Sequence, residues 1–298
     1  MTYNILKPMP VKKTSYEVHA HRGARDLFPE NTIPAFQAAW EGGVDVIELD
    51  LQFTQDGAVV IHHNFEINPN APLNDGLPFN QSPLIHSVYL SDVKKLDYGL
   101  LQAPKFPDQK VKKGIQIPTL DELIDAITTA VHPQAKKVRL NIELKRDLRQ
   151  PHLSLTPDQI VNKTLEVVRR RQFSDRVQYT SFDPEILILL RKLEPKAMLG
   201  CLFAEDTLQF ITEQFHKPGF DFLLMFAKTH HINILCPDHT ILTSTNQVRV
   251  MQREGFQVLA WTVNDEQRWQ ELYQMGVNGV ITDLPSQMVS FVKTRLIQ

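Results

Sequence analysis

Short β-branched runs alternate with helical stretches across 298 residues, and this alternation predicts an α/β protein built as one (β/α)8 TIM barrel. The length agrees, lying just above the roughly 250 residues typical of such a barrel. The rhythm breaks once, at residues 64–117, which are rich in Pro, Asn, Asp and Gly. A structureless loop of that length is foreign to a compact barrel. Residues 65–117 are therefore read as an insertion subdomain after the second βα region, within a single barrel domain spanning residues 1–298. Such an insertion caps a βα loop, on the side where barrel proteins keep their sites.

Strands are predicted at residues 17–21, 44–52, 59–62, 138–144, 177–181, 197–202, 222–226, 232–235, 257–262 and 279–282. Helices are predicted at residues 32–41, 119–131, 157–171, 183–193, 207–215, 243–254, 265–274 and 286–294, with a short helical stretch at 90–96 inside the insertion. Asn31 reads as the N-cap of the first helix, and Gly42-Gly43 stops it. Asp183-Pro184 places proline at a first helical position, where its missing N–H is no loss.

Composition narrows the functional classes. With 32 Lys plus Arg against 34 Asp plus Glu, the net charge is -2, so no general pull toward nucleic acid or an anionic membrane is expected. Recognition of a phosphate must be local. Cys201 and Cys236 have neither metal-ligand spacing nor the density of a disulfide framework, which suits a reducing compartment. Residues 1–16 carry Lys7, Lys12 and Lys13 but no secretory apolar run, and no stretch approaches the ~18 apolar residues of a membrane span. A cytoplasmic protein is expected; nothing in the sequence sets an oligomeric state.

Four clusters carry chemistry. The first, Ala20-His21-Arg22-Gly23-Ala24, ends a strand: histidine moves protons near neutral pH, and arginine offers a rigid fork of donors suited to phosphate. His19 shares the strand face of His21 and is expected to be a hydrogen-bonded core histidine. In the second, Val46-Ile47-Glu48-Leu49-Asp50, period two puts both acids on one face together with Val46, which argues against an outward solvated face. Two such carboxylates are costly unless a cation or a shared proton offsets their repulsion. The third, Val59-Val60-Ile61-His62-His63-Asn64, turns one histidine toward a site and the other away, and the pattern does not choose between them. The fourth, Leu140-Asn141-Ile142-Glu143-Leu144-Lys145, places Asn141, Glu143 and Lys145 on one face. Glu143 can complete an all-oxygen site for Ca²⁺ or Mg²⁺, and Lys145 can add a point charge for a phosphate oxygen.

Together these clusters resemble the glycerophosphodiester phosphodiesterase family. The matching text is His21-Arg22-Gly23, Pro29-Glu30-Asn31-Thr32 with Ala35-Phe36, Glu48-Leu49-Asp50, Thr54 with Asp56-Gly57, Val59-Val60-Ile61 leading to His63, Asn141-Ile142-Glu143-Leu144-Lys145, Ser181-Phe182-Asp183-Pro184, Trp261-Thr262-Val263-Asn264, and residues 276–283 with Pro285. These segments run in family order along nearly the whole chain.

The resemblance implies one divalent cation, Ca²⁺ or Mg²⁺, held by Glu48, Asp50 and Glu143, and a catalytic pair, His21 and His63. His63 is preferred to His62 because the family's histidine follows Asp-Gly after five intervening residues, here 58–62. Arg22 and Lys145 match phosphate-contacting positions, and Trp261 matches an aromatic near the pocket. The implied reaction is hydrolysis of a small glycerophosphodiester to glycerol 3-phosphate and an alcohol. In the family's usual account the glycerol hydroxyl beside the phosphate attacks, and water opens the resulting cyclic phosphate. One departure stands out: Asn64 follows His63 where the family usually has aspartate, which is expected to alter the tuning of His63 without abolishing activity. Two alternatives accompany this reading. One is lysophospholipase D-type activity on longer lipids, with Phe65, Leu84, Ile85 and Leu100 as candidates for an apolar lip; the other is a non-catalytic phosphodiester-binding barrel.

Overall fold

The strands that alternate polar with apolar residues close into a ring. The computed structural model describes residues 16–296, so the N-terminal segment in which no secretory signal is read lies, but for Tyr16, outside the described residues. In chain order the elements are β1 (Glu17–His21), α1 (Ile33–Glu41), β2 (Val46–Phe53), β3 (Val59–Ile61), α2 (Leu90–Val93), α3 (Leu120–Thr129), β4 (Arg139–Leu144), α4 (Pro157–Arg170), β5 (Val177–Ser181) and α5 (Pro184–Leu193). They continue with β6 (Met198–Phe203), α6 (Glu205–Phe215), α7 (Gly219–Thr229), β7 (Ile234–Pro237), α8 (Thr245–Arg253), β8 (Gln257–Ala260), α9 (Glu266–Met275), β9 (Gly279–Thr282) and α10 (Pro285–Leu296).

Eight parallel strands form the barrel in the order β1, β2, β4, β5, β6, β7, β8, β9. β9 returns to β1 with Glu17 opposite Gly279, and β1 meets β2 with His19 opposite Val46, which leaves no free edge in the ring. This is the (β/α)8 barrel that the sequence predicts. β2 is buried along its whole length: Ile47, Leu49 and Leu51 pack with the helical layer, whereas Glu48, Asp50 and Gln52 take the alternate face. Leu202, Ile234, Cys236, Leu259 and Ile281, from β6 to β9, form a separate small apolar cluster with Trp261 at its edge.

Three details differ from the sequence reading. Residues 222–226, expected as a strand, lie in α7. Gly219, Leu223 and Ala227 are buried at a spacing of four while Met225 is half exposed, a helical pattern inside an apolar run too short for period to declare itself. The N-cap of α1 is Thr32, not Asn31: Thr32 has the extended backbone a cap requires and accepts from the Ala35 N–H, whereas Asn31 is left-handed at φ 56°. Residues 59–61 form β3, which runs antiparallel on the end of β2, Leu51 opposite Ile61, outside the ring.

Between β3 and α3 the chain makes α2, short 3-10 turns and an apolar cluster that includes Ile67, Ile85, Leu96 and Ile117. Ile85, a candidate for an exposed lip, is fully buried there. This segment also grips the β1–α1 loop, since Gln109 donates to the Phe28 carbonyl at 3.1 Å and the Lys110 N–H donates to that of Leu27 at 2.8 Å. Among the described residues, no helix is long and apolar enough to cross a membrane.

Candidate active site

β2 and β4 are adjacent and in register, with Glu48 opposite Asn141 and Asp50 opposite Glu143. Period two therefore stacks three acids on one face of the strand pair. One carboxylate oxygen from each of Glu48, Asp50 and Glu143 lies within 4.8 Å of the other two. Glu48 and Asp50 are almost wholly buried.

The exit of β1 is folded onto this cluster. Arg22 takes a left-handed backbone, φ 57°, and its N–H donates to both the carbonyl and Oε2 of Glu48, each at 3.0 Å. Gly23 makes the turn possible: at φ +86° a Cβ would stand 2.7 Å from the Ala35 carbonyl carbon. The Arg22 guanidinium pairs with Glu30 at 2.8 Å and places Nε 3.2 Å from Asp50 Oδ2. Lys145 Nζ stands 3.3 Å from Asp50 Oδ1 and 2.9 Å from Glu143 Oε1. Asn31, free of the capping duty expected of it, donates its Nδ2–H to Asp50 Oδ2 at 2.9 Å.

This crowding sets the proton affinities. Burial and the neighbouring charges of Asp50 and Glu143 push the Glu48 carboxyl well above the usual range. Burial acts the same way on Asp50, but Lys145 and Arg22 outweigh it and hold that carboxyl below its ordinary value. Burial works against the Lys145 ammonium, yet Glu143 and Asp50 raise it. Two buried carboxylates and a third that is part-buried, each presenting oxygen beside two cationic side chains, match the donor set of a hard divalent cation.

The two adjacent histidines after β3 separate as strand alternation requires. His62 is buried against the insertion, its Nδ1 2.8 Å from the Asn64 carbonyl and its Nε2 3.0 Å from the Tyr98 hydroxyl. His63 faces the charged cluster: burial lowers it to about 4, Lys145 and Arg22 act in the same direction, and Asp50 offsets part of the effect. Its Nδ1 lies 2.7 Å from Asn64 Oδ1. At the exit of β1, His21 Nδ1 lies 2.6 Å from Asp283 Oδ1. His19, one step down β1, is fully buried with Nε2 3.2 Å from Glu17 Oε2, as expected of a core histidine.

Trp261 follows β8, donates its indole N–H to the Cys236 carbonyl at 2.7 Å and meets Phe182 edge-on at 5.5 Å. A cleft of about 300 Å³ leads outward from Glu143 and Lys145 between Phe65, Phe182, Phe210 and Arg149. The site thus gathers Arg22, Glu48, Asp50, Glu143 and Lys145 directly, with His63 close enough to feel their charges; Trp261 stands farther out, against Phe182 of the cleft wall. Sequence reasoning assigned no site role to Glu30, Asn31, Asn264 or Asp283. All four sit within its ordered matching segments, which was the available signal.

Comparison with known proteins agrees with this geometry. Residues 21–287 match the Glycerophosphoryl diester phosphodiesterase family. The chain is 29% identical over 279 residues to a glycerophosphodiester phosphodiesterase of Caldanaerobacter subterraneus, covering 93% of this chain and 97% of that protein. It is 27% identical over 289 residues to a lysophospholipase D of Rattus norvegicus, covering 92% and 85%. Its fold is similar to that of an Oleispira antarctica phosphodiesterase solved with the product sn-glycerol-3-phosphate, at TM-score 0.73 and 24% identity, covering 93% and 96%. A barrel whose matched segments span nearly all its strands, and whose relatives are aligned end to end, places the chain in the glycerophosphoryl diester phosphodiesterase family.

Proposed function

We propose that this enzyme hydrolyses small glycerophosphodiesters to glycerol 3-phosphate and an alcohol with a divalent cation, Ca²⁺ or Mg²⁺, and with His21 and His63 as its acid–base pair. The observation that carries the reading is the convergence of Glu48, Asp50 and Glu143 within 4.8 Å, beside Arg22 and Lys145. Glu48, Asp50 and Glu143 would hold the cation, which when bound supplies Lewis-acid polarisation of a phosphoryl oxygen and eases ionisation of a hydroxyl.

Arg22 and Lys145 offset the charge that builds on the phosphate. One histidine removes the proton of the glycerol hydroxyl as its oxygen bonds to phosphorus. The bond from phosphorus to the outer alcohol then breaks, and the second histidine protonates that oxygen. Water opens the cyclic phosphate in a reversed second half. Trp261 and Phe182 form an apolar wall for the substrate's carbon skeleton, and the outer alcohol occupies the cleft at Phe65 and Phe210. Residues 65–117 act as an insertion subdomain that holds the β1 exit in place through Gln109. Both cysteines are free and buried, consistent with work in the cytoplasm.

The aromatic lining of the cleft also favours a second reading, action on lysophospholipids. Incubation with glycerophosphocholine, glycerophosphoethanolamine and lysophosphatidylcholine, with either cation or with a chelator, separates the readings. Cation-dependent release of glycerol 3-phosphate from the first two is expected. Release of choline from the lysolipid alone would move the assignment to the second, and no release from any of them would end both.

A further inference from the structure

We infer that the cleft beyond Glu143 and Lys145 takes a zwitterionic outer alcohol of the serine type, with Arg149 holding its carboxylate and Asp206 its ammonium. The inference rests on the phosphodiester hydrolysis proposed above and names the outer alcohol that this hydrolysis releases.

The cleft receives the group bonded to the phosphate. It leads outward from Glu143 and Lys145, and Phe65, Phe182 and Phe210 line it farther out. A phosphate held at Lys145 therefore carries its outer alcohol between the loop after β4, which bears Arg149, and α6, which bears Asp206.

Most charges along the cleft already have partners. Lys145 pairs with Glu143 at 2.9 Å, and Arg146 pairs with Asp183 at 2.8 Å. Asp147 Oδ1 accepts from the N–H groups of Arg149 and Gln150, at 2.8 and 3.2 Å, and so holds the turn. Two charges are left over. Among the described residues the Arg149 guanidinium makes no ion pair, and Asp206 accepts only from the Thr207 hydroxyl, at 3.4 Å. Both side chains are exposed. They line one cleft without pairing with each other, so a ligand whose ammonium and carboxylate sit on a single carbon can bridge them. The guanidinium fork matches a carboxylate with two parallel N–H donors.

Arg149 also weighs against a quaternary ammonium. Its Cζ lies 5.7–6 Å class distance from no acid but 5.9 Å from the centroid of the Phe210 ring, so that ring already carries a cation. A choline group brought there meets a like charge. An ethanolamine group satisfies Asp206 and leaves Arg149 without an anion, and a glycerol group satisfies neither.

The test is release of glycerol 3-phosphate from glycerophosphoserine, glycerophosphoethanolamine and glycerophosphoglycerol at fixed cation concentration. It compares the parent enzyme with Arg149→Gln and Asp206→Asn, each checked by its melting curve. The parent should favour the serine ester over the ethanolamine ester by about 10-fold or more in kcat/KM, because a charge-assisted pair is gained. Arg149→Gln should erase that preference through a higher KM for the serine ester with kcat nearly kept, the signature of lost ground-state binding. Asp206→Asn should lower the serine and ethanolamine esters alike, relative to the glycerol ester, by about 2- to 5-fold. A parent that cleaves the ethanolamine or glycerol ester as well as the serine ester overturns the inference. So does an Arg149→Gln that lowers all three alike, or an Asp206→Asn with parental ratios. In each of these results the underlying hydrolysis still stands, whereas release from none of the three esters would end that reading as well.

Discussion

Glu48→Gln is expected to raise the thermal stability of the cation-free protein while abolishing its stabilisation by Ca²⁺ or Mg²⁺. The nearest oxygens of Glu48, Asp50 and Glu143 lie within 4.8 Å. At that separation two unit charges repel by about 3.5 kcal/mol at an effective dielectric constant of about 20. Asp50 and Glu143 are compensated, by Lys145 at 3.3 and 2.9 Å and, for Asp50, by Arg22 at 3.2 Å. Glu48 has no ion pair within 4 Å among the described residues, only the Arg22 backbone N–H at 3.0 Å. Its ionised form therefore meets two repulsions offset only by the Arg22 N–H and the more distant Arg22 charge. Proton uptake by the parent carboxyl limits the cost, so the amide should gain about 1–3 kcal/mol in the absence of cation. In the parent protein a cation at one hundred times its Kd stabilises by about 2.7 kcal/mol, which moves Tm by roughly 4–5 °C for a domain of this size. Melting curves of chelator-treated protein, alone and with each cation, read both effects. A parent Tm indifferent to both cations, or a full parent-like cation response retained by Glu48→Gln, would refute the assignment of these three acids as a metal site.

His21→Ala and His63→Ala should each lower turnover about 10²- to 10⁴-fold with unchanged circular dichroism; near-parental rates on glycerophosphodiesters would remove both from the chemistry. Burial lowers His19, against partial help from Glu17, so its contribution to stability is present above the unfolded histidine value of about 6.5 and is lost as pH falls through it. Urea unfolding between neutral pH and about pH 5 should accordingly show a shallower loss in His19→Gln than in the parent, and parallel curves would contradict this. Gly23→Ala meets both the clash with Ala35 and the left-handed backbone, and a loss of about 1–3 kcal/mol in the same assay is expected. Wild-type stability in that variant would show that the β1 exit can be rebuilt without strain.

Much of this protein was legible along the chain because the relevant physics is local. Strand period two alone puts Glu48 with Asp50 and Glu143 with Lys145, and alternating runs over this length identify the barrel. The same locality explains the failures. Residues 222–226 satisfy both strand and helix templates, and only packing on a neighbouring layer selects the turns that bury Leu223 and Ala227. Asn31 has the chemistry of a helix cap, but Asp50 lies on another strand and offers it a buried carboxylate.

Which side chains share a strand face, and that the chain folds as a parallel barrel, can be read from the residues alone. Tertiary structure decided the partners: that His62 meets Tyr98 while His63 meets the charged cluster, and that Asp283, 262 residues away, reaches His21. The second outcome depends on closure of the ring where β9 pairs with β1, and the first on β3 folding back along β2. Hydrogen bonds and charge pairs act over a few ångströms of space, whatever the separation along the chain, so they are settled only when the strands that carry them become neighbours.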